Sequence, residues 1–419
     1  MGVKMLNALK RIPDVDLCNL CAFPQKNLRE ADVYSQTQRV ISQVSALQQL
    51  AELELEMLPV IDQLNDIEIL FDIKGWYESQ QELRERIKDL ELYFNIDTSL
   101  DNETSSLADQ LCIKTGISHK ELSSKGALIS EDQLLARELF NKQNFWGMQC
   151  KILGKAVLGR NVLDSVAPIT GKYRSFSAVS GRMSCRDLPL MSLPKVMYDF
   201  LQPSEGYNIW HLDFCQQEMR ITSALTGCRV MQQELTAGKD VYAVLGQQFL
   251  SSESIDKCHK LGKSLLTPYL YGASEFTLKE NLRKFTDEFA DVNIQQKIRT
   301  AYPELSEGLD SYASNPFIRV TPYGNAPVFR EFSTAQLRNL PIQGLGAVIL
   351  KRLLIKLCSS GVRVLIPRHD EVILELPRTL DDESVNRVLT ETASQVVEQE
   401  LPTYVTKNFL KIKRSGEES

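Results

Sequence analysis

The sequence predicts an α+β protein, on three observations. Long amphipathic helices fill the early part of the chain, short strands and turns take over after Pro168, and two apolar runs near the C-terminus flank a short polar bend. A chain of 419 residues also exceeds what one hydrophobic core usually supports, so two or three subdomains are expected.

The helices are read from their period. Residues 38–58 form one helical segment, and residues 76–92 a second, in which Leu83, Ile87 and Leu90 recur at helical spacing among Glu, Lys and Arg. Residues 97–130 are polar and interrupted, which places loops and short helices there, and residues 130–158 form a further helical run. Residues 209–213 are a short apolar strand ending in a carboxylate, followed by helix-compatible residues 216–225. Residues 362–366 and 372–376 surround Pro367-Arg368-His369-Asp370-Glu371, which reads as a hairpin with acids at its tip. There is no internal repeat or low-complexity tract, and residues 411–419 are a polar tail.

Composition narrows the function classes. No run of about 18 apolar residues is present to span a bilayer, and residues 1–13 lack a long apolar stretch or a small-residue cleavage site, so a cytoplasmic protein without a membrane partner is expected. The nine cysteines have no framework spacing and are expected as free thiols; Cys18 and Cys21 form one CxxC, only half of a zinc site. The net charge is −6, yet residues 142–195 hold nine basic side chains against two acidic ones, a local +7 that leaves −13 on the rest. A cationic strip on an acidic body suits a phosphate backbone, although a merely solvated basic face reads equally well from that segment alone.

Nucleotidyl transfer needs two divalent ions, one to activate the attacking hydroxyl and one to clamp the leaving pyrophosphate, and hard Mg²⁺ wants oxygen ligands. Asp213 ends one strand, and Asp370 with Glu371 sits at the bend between two more, so a sheet that set these strands side by side would converge the acids. Taken singly, an Asp in such a place is more often a turn or helix-capping residue.

The stretch Leu212-Asp213-Phe214-Cys215-Gln216-Gln217-Glu218-Met219-Arg220 resembles motif A of family A (polymerase I-like) DNA polymerases, and His369-Asp370-Glu371 between apolar runs resembles their motif C. The resemblance implies Asp213 and Asp370 as ligands of two Mg²⁺ ions, for which Mn²⁺ can substitute. It implies Glu371 as support, His369 near the primer end, Glu218 as a steric gate against a ribose 2′-hydroxyl, Gln216 at the nucleotide, and Arg220 as a DNA contact.

Between the acids, His259, Lys263 and Thr267 lie at i, i+4 and i+8, with Tyr271 one step further along the same face; a basic face with a terminal aromatic suits a triphosphate and its base. Lys263, Tyr271 and Gly272 resemble motif B of the family. That implies Lys263 as phosphate ligand and proton donor to pyrophosphate, and Tyr271 beside the template base and the gate. The chain departs from the motif: His259 replaces the usual Arg, Thr267 the stacking aromatic, and Pro268 a Gly. Thr267 cannot stack on a base, and Pro268 removes the donor to the Ser264 carbonyl, which should kink the helix. Tyr242 stands where many relatives have a phosphate-contacting His; an ordinary core Tyr is the competing reading.

Ser180-Gly181-Arg182-Met183-Ser184 and Asn339-Leu340-Pro341-Ile342-Gln343-Gly344 are similar to two further family segments, implying Arg182, Asn339 and Gln343 at the minor groove by the primer terminus, with Lys155 of the basic strip as another DNA contact. Pro367 and Met191 stand where the family has Gln, which predicts loosened mismatch sensing.

The resemblance runs from about residue 50 to the end and implies a right-hand polymerase fold with helical thumb and fingers and a palm built on a small antiparallel sheet. The expected divisions are an N-terminal extension or palm entry (1–45), thumb (46–160), first palm segment (161–214), fingers (215–355) and second palm segment (356–419). It further implies a monomer that joins dNTPs to primer-template DNA without a proofreading exonuclease. Asp101-Asn102-Glu103 imitates an exonuclease acid pair but reads better as a turn. Gap filling, lesion bypass or RNA-templated copying fits the altered fingers, and a catalytically impaired primer-template binding protein is the alternative.

Overall fold

In the computed structural model, residues 19–21, 39–41, 43–96, 104–123, 130–157, 166–286, 292–329 and 331–416 are described. The Asp101–Glu103 acids and Cys18 lie outside them, as do the side chains of residues 150–165, Lys155 included. Cys21 is fully buried.

The chain divides into two units, a larger one of residues 1–67, 171–192 and 203–419 and a smaller one of residues 68–170 and 193–202. The smaller unit carries a three-stranded antiparallel sheet in which Ile69–Asp72 pairs with both Val166–Ile169 and Leu201–Gln202. Its helices Gln81–Phe94, Thr104–Thr115 and Glu131–Val157 bury a common apolar cluster with Leu90, Leu111 and Leu139 at its centre. Trp76 stacks on Trp146 with centroids 5.5 Å apart, and its indole N–H donates to buried Gln149 at 3.0 Å.

In the larger unit, helix α1 (Ser45–Asp66) is followed by the hairpin β1 (Lys172–Arg174) and β2 (Ser184–Arg186), then strand β3 (Tyr207–Phe214) and helix α2 (Gln217–Thr226). After a helix at Arg229–Thr236 come helices α3 (Val241–Gln247), α4 (Ile255–Leu270) and α5 (Glu275–Arg283); two more, Ile294–Ala301 and Pro303–Tyr312, precede the hairpin β4 (Ile318–Thr321) and β5 (Gly324–Pro327) and the long helix α6 (Thr334–Ser359). The chain closes with β6 (Arg363–Arg368), β7 (Glu371–Pro377), α7 (Asp382–Glu400) and β8 (Leu410–Arg414). The helix α1, from the start of the segment expected as thumb, packs within this larger unit, where Leu47, Leu50 and Leu53 join Phe176 and Val348 in one core cluster. Glu54 of α1 and Lys351 of α6 form a buried ion pair there, each side chain 2% exposed.

Four strands form an antiparallel sheet in the order β8-β3-β7-β6. The predicted terminal hairpin is present as β6 and β7, with Arg368 paired to Glu371 across a two-residue turn, and the strand read at 209–213 is the core of β3. Ile209, Trp210, Leu212 and Phe214 of β3 and Val372–Leu374 of β7 are buried, as expected for interior strands covered on both faces. This α+β arrangement of helices and small antiparallel sheets agrees with the fold class read from the sequence.

Candidate active site

The sheet register brings the two acids together. Strand β3 ends where β7 begins, Asp213 pairs with Glu371, and the Phe214 N–H donates to the Asp370 carbonyl at 2.8 Å. Asp213 is half-buried and Asp370 exposed at the same edge of the sheet. The turn between β6 and β7 places His369 in the left-handed region at φ 38°, a conformation His tolerates better than bulkier residues. The His369 side chain is exposed there. Even so, loss of surrounding solvent, followed by the Arg182 charge, holds its ring below the usual histidine range.

Glu371 is buried rather than open to the edge. Its carboxylate meets His211 Nδ1 at 3.2 Å and the Arg368 guanidinium at 3.7 Å, while His211 Nε2 meets the Ser415 hydroxyl at 2.9 Å. This chain of side chains cross-links β3, β7 and the end of β8 beneath the acids. Nothing in the sequence signals it, because the partners converge only through strand pairing.

Glu218, in the first turn of α2, accepts the Tyr271 hydroxyl at 2.7 Å and faces the Arg182 guanidinium at 3.4 Å. Tyr271 ends α4, so three expected site residues from three separate segments meet in one cluster. Burial, then the Glu218 charge, pushes the Tyr271 phenol well above its ordinary value, so it stays a donor at neutral pH. The Tyr242 phenol is likewise raised, mainly by burial; Glu218, Asp240 and Asp370 contribute, which sets Tyr242 within electrostatic reach of both acid clusters. Lys263 Nζ lies 5.9 Å from the centre of the Tyr242 ring, and the His259 ring meets that ring edge-on at 5.3 Å.

Helices α3 and α4 reach this proximity through paired glycines. A Cβ on Gly262 would stand 1.8 Å from the Tyr242 carbonyl oxygen, and one on Gly246 2.0 Å from the Cys258 carbonyl oxygen. The expected cost of Pro268 is met locally. The helix continues through it to Leu270, and Asn281 of α5 donates to the freed Ser264 carbonyl at 2.9 Å.

Two expectations change. Arg220 is buried, and its guanidinium donates to the carbonyls of Cys215 (2.8 Å), Val405 (2.7 Å), Lys407 (2.9 Å) and Asn408 (3.0 Å). With four of its five N–H groups so used, it anchors the segment before β8 at a position where a DNA contact was expected. Gln216, in the left-handed region at φ 55°, accepts the Val241 N–H at 2.9 Å and donates to the Lys239 carbonyl at 3.4 Å, tying the turn after β3 to the start of α3. Its side chain serves the protein's own backbone at a position where a nucleotide contact was expected.

The two segments expected at the minor groove lie against one another: a Cβ on Gly344 would come within 3.5 Å of the Ser180 carbonyl oxygen. Asn339 Oδ1 and Gln217 Nε2 are buried without a hydrogen-bond partner, which is uncommon for polar atoms away from a binding surface. Gln343 is half-buried in the same helix as Asn339.

Among the described residues no group of three or more His, Cys, Asp or Glu side chains could hold a metal. Asp213 and Asp370 nevertheless fit Mg²⁺, which is commonly held by one or two carboxylates completed by substrate phosphates and water rather than by an all-protein cage. No described helix is long and apolar enough to cross a membrane.

Residues 80–409 match the model of DNA polymerase family A. Thermostable DNA polymerase I of Thermus aquaticus is 24% identical over 58% of this chain and 32% of its own length. DNA polymerase I of Bacillus subtilis is 20% identical over 86% of this chain and 45% of its own length. The chain thus spans a third to under half of these curated relatives. The fold is similar to that of the POL domain of Pol1 from M. smegmatis, solved in complex with DNA primer-template and dNTP, with a TM-score of 0.73, 18% identity and coverage of 98% of this chain and 80% of that one. On the extent of the family match, this chain belongs to DNA polymerase family A.

Proposed function

We propose that this chain is a template-directed DNA polymerase that transfers a dNMP to a primer 3′-hydroxyl. One observation carries the reading: the register of β3 against β7 sets Asp213 and Asp370 side by side in a family A chain. In the reaction the primer 3′-hydroxyl gives up its proton to water, its oxygen bonds to the α-phosphorus, and the α–β anhydride bond breaks with its electron pair leaving on pyrophosphate. Asp213 and Asp370 would hold two Mg²⁺ ions, which when bound lower the cost of the attacking alkoxide and of charge on pyrophosphate. Lys263, exposed on α4, neutralises the phosphates and gives a proton to the leaving pyrophosphate. Glu218, fixed by Tyr271 and Arg182, occupies the space a ribose 2′-hydroxyl would need.

The basic hairpin supports a DNA partner. Lys172 of β1 stands directly opposite Arg186 of β2, both exposed, an arrangement that like-charge repulsion disfavours in the free protein and a phosphate backbone relieves. We assign the smaller unit to the thumb, the four-stranded sheet to the palm and the helices from α2 to α6 to the fingers. Thr267 in place of a stacking aromatic, with Pro367 and Met191 in place of amide donors, supports relaxed discrimination in gap filling or lesion bypass.

Primer extension with Mg²⁺ tests the reading. The wild type adds templated dNMPs, chelation of the metal stops it, and Asp370→Ala lowers the rate by at least about 10³-fold, ~4 kcal/mol in the barrier. A wild type that binds primer-template yet adds no nucleotide with any divalent ion would sink it.

A further inference from the structure

Resting on the polymerase reading above, we infer that Asn19 is a positioning residue: with Arg319 it fixes the loop that carries Arg182, and through Arg182 it sets how well Glu218 discriminates the sugar of the incoming nucleotide. Residues 19–21 precede the stretch that matches the family model, yet they are built into the core of the larger unit. Leu20 and Cys21 are fully buried in the apolar cluster that holds Phe176 and Val348, and Asn19 is 5% exposed.

Asn19 Nδ2 donates to the Phe176 carbonyl at 3.1 Å and to the Ser177 carbonyl at 2.9 Å. Arg319 of β4, also buried, donates from one terminal nitrogen to the Val179 carbonyl and from the other to the Leu20 carbonyl. The loop's own bonds run from the Gly181 N–H to the Ala178 carbonyl (2.8 Å) and from the Ser177 N–H to the Arg182 carbonyl (3.0 Å). Every carbonyl from Phe176 to Val179 is therefore taken, two by Asn19, one by Arg319 and one within the loop. Packing alone does not place this loop, because Val179, Ser180 and Gly181 border a small pocket together with Leu340 and Gly344, and a gap forfeits contacts on that side. The bonds from Asn19 and Arg319 therefore decide where the loop sits. At its end, the Arg182 guanidinium faces Glu218 at 3.4 Å, the carboxylate that also accepts the Tyr271 hydroxyl. A shift of the loop thus moves one of the two partners that hold Glu218.

Single-nucleotide incorporation by the full chain on one primer-template, with kcat/KM measured for a dNTP and for the matching rNTP, tests this. Asn19→Ala lowers the dNTP-over-rNTP ratio about fivefold. Arg319→Lys, which gives up the fork spanning the Val179 and Leu20 carbonyls, lowers it in the same direction. On top of Arg182→Ala, Asn19→Ala lowers the ratio no further, because both act through one contact. Leu111→Ala, which opens the separate core of the smaller unit, is the control for lost stability and keeps the wild-type ratio. A wild-type ratio in Asn19→Ala, or in Arg319→Lys should the first not fold, overturns the inference while leaving the polymerase reading standing. So does a full additional loss on top of Arg182→Ala, or an equal loss in Leu111→Ala. A wild type that incorporates no nucleotide overturns both.

Discussion

Glu218 shows how far a single side chain can be taken. Its Oε1 is held by both the Tyr271 hydroxyl and the Arg182 guanidinium, so the carboxylate cannot swing away without losing both partners. Glu218→Ala is expected to lower discrimination against ribonucleotides by about 10- to 100-fold, read as the ratio of kcat/KM for dNTP over rNTP. Discrimination as high as in the wild type would remove Glu218 from the gate. Asn281 offers a stability test of the same kind. Its amide fills the bond that Pro268 cannot make, and Asn281→Ala strands the Ser264 carbonyl, with an expected loss of about 1–3 kcal/mol seen as a lower thermal midpoint. Both roles were half legible beforehand. The spacing of Glu218 and Tyr271 was readable, and so was the orphan carbonyl left by Pro268, whereas the residue that satisfies it comes from the next helix and has no local signal. Arg220 shows the opposite limit: residue type announces a cation, but only the fold reveals that backbone carbonyls surround it.

Among the elements, α3 and α4 pack closely enough to build one face, the one proposed to receive the nucleotide. Glycines at 246 and 262 let each helix lie against the other's backbone, and that contact sets Tyr242 edge-on to His259. Isolated glycines inside helical patterns are the sequence signal for such an approach, and Asp240 just before α3 is the matching cap signal. Gly262→Ala is expected to destabilise the protein by about 1–3 kcal/mol or more through overpacking against the Tyr242 carbonyl. Gly147, which has nothing within 4 Å of an added Cβ in its helix, serves as the contrast: Gly147→Ala should stabilise by roughly 0.5–1 kcal/mol. Thermal denaturation of the two variants side by side checks both signs, and equal effects would remove the crossing from the account. The strand pair β3 and β7 belongs to this scale too. Each strand was readable from its apolar run, but register is a property of pairing between distant segments, so the meeting of Asp213 with Asp370 required the folded sheet.

For the whole molecule, charge location matters more than its sum. A net charge of −6 hides a basic stretch whose exposed Lys172 and Arg186 face each other on one hairpin. Lys172→Ala is expected to weaken primer-template binding alike for different sequences and to reduce the slope of log affinity against log salt by about 1. An unchanged slope would place the DNA elsewhere. On the proposed function, the ends of β3 and β7 hold a metal pair for nucleotidyl transfer. Anomalous scattering from a crystal of the chain with a 3′-deoxy-terminated primer-template, a matched dNTP and Mn²⁺ would locate that pair. Two Mn²⁺ peaks about 4 Å apart, each within bonding distance of Asp213 or Asp370, are expected. Nucleotide bound with no Mn²⁺ at either aspartate would contradict it.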